Sequence, residues 1–317
     1  MRDGSGQQRW VVLGASGFVG GHVVEAARAA GHEVVGTTAP RLSSAAVTAA
    51  DVARDAAGLL AEQEALLALF RDADVVVNAA GLATPDAVTS STLVGANAVL
   101  PLVVAVAASR AGVRRFVHLS SAAVQGARAR LDETESTAPF SPYSTSKALG
   151  EEALVARRND HDEDVVVIRA TSVQGAGRPT TERLRSLSRS PLASVAAPGT
   201  APSPVTSVSA LAEFVVLVGE RTGSVPAIVL QPWEGMTVSS VLEAAGGRRP
   251  RHLPAGACRV AVRAARIATR LAGGRGAGAV RRVELMWFGQ AQVSGWAADA
   301  GVVPEPRVAA VLRGGDR

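Results

Sequence analysis

A glycine-rich turn set between the first apolar strand and the first helix limits what this chain can fold into more than any other feature. Trp10-Val11-Val12-Leu13 runs into Gly14-Ala15-Ser16-Gly17-Phe18-Val19-Gly20, and a helical stretch continues through Glu25, Ala26 and Ala29. Such a turn needs glycine for positive φ and close backbone approach, and it aims helix N-terminal N–H groups at a pyrophosphate. The spacing alone is weak in a Gly-rich chain, but at a strand-to-helix junction it has the context that dinucleotide binding requires. Gly14, Ser16, Gly17, Phe18, Val19 and Gly20 are thus expected to bind a cofactor; a purely structural turn is the alternative.

Short β-branched runs at 9–14, 33–38, 74–80, 114–121 and 164–170 alternate with Ala/Leu-rich stretches of helical length. This alternation predicts an α/β fold, a Rossmann-type doubly wound parallel sheet with right-handed crossovers. With 317 residues, 47% of them hydrophobic, the chain can bury a sizeable core. After residue 170 the pattern weakens into Arg/Ser/Pro/Thr-rich sequence and resumes at Leu211–Gly219 and Ala227–Leu230. The expected division is a dinucleotide-binding domain over 1–170 with later sheet elements near 205–230. A smaller interleaved C-terminal substrate lobe then takes 171–204 and 231–317.

The net charge of +5 does not mark a nucleic-acid binder. All but one of the 33 basic residues are arginine, spread along the chain, and aromatics make up only 3%. The single cysteine, Cys258, cannot form an intrachain disulfide, no Cys/His spacing suits a metal, and Met1–Gly6 leave no room for a signal-peptide core. A cytoplasmic setting without metal, nucleic acid or membrane partner is expected. The longest unbroken apolar run, Ala98–Ala108, is short for a membrane span and reads as a buried helix. Arg259, Arg263, Arg266 and Arg270 share one face of an amphipathic helix. A solvated face is the plain reading, with an anionic-substrate or membrane-surface role as alternatives.

Tyr143 is the only tyrosine and Lys147 the only lysine, and they stand four apart in Ser141-Pro142-Tyr143-Ser144-Thr145-Ser146-Lys147. Pro142 starts a helix, which places the pair one turn apart on one face. An ammonium beside a phenol lowers its pKa toward the working pH and makes it a general acid/base for an alcohol or carbonyl oxygen. The strand Arg115-Phe116-Val117-His118-Leu119 ends in Ser120-Ser121, where a hydroxyl can hold a substrate oxygen. After the second strand no carboxylate awaits a ribose. Thr38 and Arg41 are the candidates there, Arg41 suiting a 2′-phosphate, so NAD and NADP both stay open.

With these pieces in place the chain resembles the extended short-chain dehydrogenase/reductases, the NAD-dependent epimerase/dehydratase family, well over 9–178 and loosely beyond. The resemblance rests on the glycine turn, Asp51-Val52, Asn78-Ala79-Ala80-Gly81, Asn97, Ser120-Ser121, and Tyr143 with Lys147. It implies Ser121 as the catalytic hydroxyl, Tyr143 as acid/base, Lys147 as the ribose-binding, pKa-lowering partner, and Asn97 as a positioning group. It places Asp51 and Val52 at the adenine and Ala79, Ala80 and Gly81 along the cofactor, with Ser120, Ser121, Ser172 and Arg178 toward substrate. Both Val-Tyr-Gly sites of the family read Val-Gln-Gly here, at 124–126 and 173–175. Ser203-Pro204 stands where an Arg-Asp often serves nucleotide sugars, and Arg178, Arg248, Arg249 or Arg251 are the candidates to replace it.

The resemblance implies hydride transfer to or from a nucleotide sugar, as a 4-epimerase or 4-keto reductase, in a homodimer joined through the Tyr/Lys helix and the helix around 91–111. Ser121-Ala122-Ala123 stands where dehydratases carry a Thr-Asp-Glu run, so water elimination is disfavoured. A reductase of another small carbonyl, such as a natural-product intermediate, and a non-catalytic NAD(P)-sensing regulator are the alternatives.

Overall fold

A computed structural model describes residues 6–83, 90–126, 128–161, 163–273 and 276–315. Residues 1–5, on which the absence of a leader was read, lie outside the described residues. The first half runs β1 (Arg9–Leu13), α1 (Phe18–Ala29), β2 (Glu33–Thr37), α2 (Ala49–Gly58), α3 (Leu60–Leu69) and β3 (Val75–Asn78). It continues with α4 (Ser91–Val94), a π-helical turn (Gly95–Val99), α5 (Leu100–Arg110) and β4 (Arg115–Ser121). Next come β5 (Arg130–Leu131), α6 (Pro142–His161), β6 (Val165–Ala170), β7 (Ser172–Gln174), α7 (Pro179–Arg189), β8 (Ser194–Ala196) and β9 (Val205–Ser207). The chain closes with α8 (Val208–Glu220), β10 (Ile228–Leu230), α9 (Val238–Gly246), β11 (Arg251–Leu253), α10 (Ala255–Leu271), α11 (Ala277–Phe288), β12 (Ala291–Gln292), α12 (Gly295–Asp299) and α13 (Val308–Arg313).

Six strands form one parallel sheet in the order β10-β6-β4-β3-β1-β2. From β1 the chain moves outward to β2, then returns past β1 to β3, so the strand order reverses between β1 and β3. Parallel α/β sheets bind ligands outside the carboxyl ends of strands at such a reversal. The Gly14 turn leaves β1 there, and Ala79-Ala80-Gly81 leave β3 beside it.

Alternate residues of each strand point to opposite faces. Val11, Leu13 and Val76 join a core beneath α2, α3, α5 and α6. Trp10, Val12, Val75 and Val77 join a second core beneath α1 and α8. Trp10 is fully buried, and Gly219 of α8 makes room for it, because a Cβ there would lie 2.2 Å from the indole ring. The segments after β6 add small cores, Val205 with Met236, Val241 and Val308, and Val195 with Val238 and Leu242. The chain leaves the sheet after β6 and comes back as β10 at the sheet's edge.

Ser91–Arg110 form a continuous 20-residue helical stretch with the length and hydropathy of a membrane span, but 78% of its most apolar 18-residue window is buried inside the fold. It is the central helix of the core, as the apolar run at 98–108 suggested. Within α5 only Val106, Ser109 and Arg110 escape burial, because α2, α3 and α6 pack around it. A dimer contact through α5, which the resemblance implies, therefore has little apolar surface left to bury.

Candidate active site

The glycine turn is built by backbone contacts. Gly14 N and Ala15 N donate to Thr37 O at 2.9 and 3.2 Å, which ties the turn to the end of β2. Gly14 has φ +79°, and a Cβ on it would stand 2.7 Å from Ala80 N; one on Gly20 would stand 2.1 Å from Gly14 O. Close approach of the β1 and β3 exits thus depends on these two glycines. Gly17 precedes α1 without a side-chain cap and Ser16 is exposed, so no side chain caps the first-turn N–H groups of α1.

Ala79 N donates to Leu13 O and Ala80 N to the Asn78 side chain, which fixes the β3 exit against the turn. A Cβ on Gly81 would lie 2.9 Å from Asn97 Oδ1 and 3.1 Å from Lys147 Nζ, so both groups press on this segment. Asn97, fully buried in the π-helical turn, accepts from Leu82 N and donates to Leu82 O and to Ser146 Oγ at 3.0 Å. It fastens the β3 exit to the Tyr143 helix, a positioning role. Mid-helix π-turns often mark such places.

Tyr143 is half-buried near the start of α6. Burial pushes its phenol pKa up, the Ser121 hydroxyl and the Arg178 guanidinium pull it down, and the Glu151 charge pushes it up again; the net direction is upward. Ser121 Oγ also accepts from Ala123 N and caps the short 3₁₀ turn Ala122–Gln125. The Lys147 ammonium is buried, donates to Leu119 O at 3.0 Å, and has its own pKa lowered by burial to about 8, with Glu151 acting in opposition. The Arg178 charge acts on the phenol in the lowering direction.

Arg178 stands at the start of α7, and its guanidinium lies 4.9 Å from the centre of the Phe18 ring. Its Nη1 is buried without a hydrogen-bond partner among the described residues. Desolvation in this setting lowers its pKa, and the phenol raises it. Arg178 therefore links Tyr143 to the glycine turn.

Asp51 lies in the first turn of α2, where it forms a capping box with Thr48 and pairs with Arg54 at 2.9 Å. Val52 is fully buried in the core. Ser120, expected near substrate, is buried and donates to Glu151. Ser172 is exposed on β7 and accepts from Gln174 at 3.0 Å, while Thr38 and Arg41 are exposed beyond β2.

Sequence reasoning missed Glu151. It is buried, accepts from Ser120 and from Arg169 Nε and Nη2 at 3.0 and 2.7 Å, and lies on the Tyr143/Lys147 helix one turn after the lysine. The signal was available, since Arg169 interrupts the apolar strand Val165–Ala170 and a buried arginine needs an acid. His118 is also buried. Desolvation, then the Lys147 charge, holds its pKa well below the usual histidine value, so it sits there neutral beside Asn78.

Comparison with known proteins agrees with this architecture. The model of the NAD dependent epimerase/dehydratase family matches residues 10–210. The chain is 34% identical over 183 residues to a UDP-glucose 4-epimerase of Mycolicibacterium smegmatis, covering 53% of this chain and 56% of that protein. It is 37% identical over 89 residues to a dTDP-glucose 4,6-dehydratase of Streptomyces niveus, covering 27% of this chain and 26% of that one. The matches thus span about half the length of the first relative and about a quarter of the second. In fold, the chain is similar to the UDP-glucuronic acid 4-epimerase of Bacillus cereus solved with NAD, with TM-score 0.57 and 21% identity over 77% of this chain and 86% of that one. The chain belongs to the NAD-dependent epimerase/dehydratase family.

Proposed function

We propose that the chain is an NAD-dependent oxidoreductase that works at C4 of a nucleotide sugar, as a 4-epimerase or a 4-keto reductase. The observation that carries this reading is the setting of the lone phenol. The Tyr143 phenol is under the influence of the Ser121 hydroxyl and the Arg178 guanidinium, and Arg178 lies over Phe18 of the glycine turn. Support also comes from the relatives, one of which is a UDP-glucose 4-epimerase.

The residues fit a dinucleotide. Gly14 and Gly20 form a turn with no room for side chains, and the uncapped N-terminus of α1 opens beside it. Gly14, Ser16, Gly17, Phe18, Val19 and Gly20 would hold the pyrophosphate, Thr38 and Arg41 the adenosine ribose, and Ala79, Ala80, Gly81 and Lys147 the nicotinamide end. When bound, the nicotinamide supplies the hydride acceptor and donor.

Tyr143 takes the proton from the sugar hydroxyl as that carbon is oxidised and returns it to the carbonyl oxygen on reduction. Ser121 holds the same oxygen by a hydrogen bond. Burial opposes ionisation of the phenol, and Ser121 and Arg178 offset only part of that cost, so the positive charge beside Tyr143 favours the base form of the residue. Asn97 keeps the β3 exit and α6 in register. No acid follows Ser121, where Ala122 and Ala123 begin the 3₁₀ turn, so elimination of water has no general acid at this position. A second reading, reduction of another small carbonyl, draws on Ser203-Pro204, which leaves the usual anion handle unfilled.

The test compares the parent with Tyr143→Phe, using NAD(H) and NADP(H) and a panel of UDP- and dTDP-sugars and simple ketones. The expected result is a loss of turnover of about 10²–10⁴-fold with cofactor binding intact. A parent that binds cofactor and turns over nothing, or a variant as active as the parent, overturns the reading.

A further inference from the structure

We propose that helix α10 docks the protein on an anionic lipid bilayer, laying an outward apolar stripe edged by arginines into the membrane surface. The proposal rests on how the helix is turned against the rest of the fold and is independent of the reaction at Tyr143. Cys258, Val262, Ala265 and Thr269 follow one another at steps of four, three and four and form the line of α10 that faces the protein, with Cys258 and Val262 buried. Val260, Ala264, Ile267 and Leu271 repeat the same steps on the opposite line, and all four are exposed. Val260 is 65% exposed, Ile267 57% and Leu271 85%. A surface helix ordinarily keeps one apolar line, against its own core, and a polar face outside. Here the outer line is apolar as well.

Charge selects the occupant of that stripe. Arg259, Arg263, Arg266 and Arg270 run along one edge of it, and α10 contains no acidic residue. Arg266 pairs with Glu284 of α11 at 2.5 Å and Arg259 lies 5.7 Å from the centre of the Phe288 ring, whereas Arg263 and Arg270 have no ion-pair partner among the described residues. A second copy of α10 would cover the apolar stripe but would bring a second row of arginines with it. An anionic bilayer meets both features at once. The apolar side chains enter the boundary between headgroups and acyl chains, and the arginine stems lie along it while their guanidinium groups reach the headgroup phosphates. Four arginines in 17 residues keep the helix in the plane of the interface rather than across the membrane.

The neighbouring helix extends the same surface. α11 packs beside α10 and adds Val283, which is 38% exposed. The sequence reading expected no membrane partner and took the arginine row as a solvated face. The fold changes that reading, because it buries Cys258 and Val262 and so turns Val260, Ile267 and Leu271 away from the protein.

Co-sedimentation of the full chain with vesicles tests the surface without any need for turnover. The parent should pellet with vesicles of phosphatidylcholine and phosphatidylglycerol, bind pure phosphatidylcholine at least about tenfold more weakly, and come off the anionic vesicles at about 0.5 M salt. The double variants Ile267→Ser with Leu271→Ser and Arg263→Ser with Arg270→Ser should each lose about tenfold or more in affinity. Leu60→Ser, at a leucine 64% exposed on α3, should stay within about twofold of the parent. All the substituted side chains are exposed, and thermal unfolding checks that each variant folds. A parent that ignores anionic vesicles, equal binding to both kinds of vesicle, unchanged affinity in either folded double variant, or an equal loss in Leu60→Ser overturns the proposal. A parent that stays off vesicles and elutes as a dimer, which Ile267→Ser with Leu271→Ser converts to a monomer, overturns it in favour of a contact between two copies.

Discussion

The guanidinium of Arg178 lies 4.9 Å from the centre of the Phe18 ring and bears electrostatically on the Tyr143 phenol, so one side chain joins the glycine turn to the proposed acid/base. Because the Arg178 charge lowers the phenol pKa, Arg178→Met should move the ascending limb of the pH–rate profile for alcohol oxidation, where Tyr143 must be the base, to higher pH. Its buried Nη1 has no partner among the described residues, so the same variant should melt at or above the parent's temperature. A profile that stays in place would remove Arg178 from the proton-transfer machinery.

Glu151 holds a buried cluster together. It accepts from Ser120 and Arg169, and Arg169 also donates to Asp132 O and Thr134 O at 3.0 and 2.7 Å. Glu151→Gln leaves a fully buried guanidinium without its countercharge and should cost about 3–5 kcal/mol in urea denaturation. The double variant with Arg169→Met should recover much of that loss, since it removes the stranded charge as well. Strict additivity of the two losses would mean that the pair is not coupled.

Gly20 and Gly21 make a matched contrast at the turn. A Cβ on Gly20 would lie 2.1 Å from Gly14 O, a backbone atom that cannot rotate aside, whereas one on Gly21 would lie 3.4 Å from Ala15 O. Gly20→Ala should lose about 1–3 kcal/mol or more of stability together with cofactor affinity, and Gly21→Ala should keep both. Fluorescence titration with NADH and urea unfolding measure the two effects. Equal behaviour of the two variants would show that the turn is not tightly closed.

The sheet was legible in the sequence because its strands are short β-branched runs between helices, and β1, β2, β3, β4 and β6 fall within the expected runs. The pair Tyr143 and Lys147 stood out because each is the only residue of its type. What their charges do could not be read the same way. Spacing puts Lys147 one turn from the phenol, but the direction of its ammonium depends on Leu119 O, which arrives from a distant strand. The Thr48 capping box was not read from the sequence, although Thr48 and Asp51 have its spacing.

Arg41 is exposed beyond β2, and no carboxylate ends that strand. An arginine at this place pairs with a 2′-phosphate through charge and paired donors, and gains far less from a ribose hydroxyl pair. Arg41→Ser should weaken NADPH by roughly tenfold and leave NADH within about twofold. If the ratio of the two affinities does not change, Arg41 is only a solvated side chain.

Lys147 gives a stability signature that is independent of turnover. Burial holds its pKa at about 8, against 10.5 for a free lysine, and Glu151 recovers only part of the difference. Below pH 8 both folded and unfolded chains carry the proton, and above 10.5 neither does. Between those values the unfolded lysine is protonated and the folded one is not, so the lysine's contribution to the free energy of unfolding rises with pH across the window. The full rise is roughly 3 kcal/mol. Lys147→Met removes this group while other titrations remain common to both proteins. Urea denaturation at pH 7.5 and at pH 10.5 should therefore show the parent gaining about that amount on the variant. A difference that does not vary with pH would mean that the buried ammonium keeps the proton affinity of an exposed lysine.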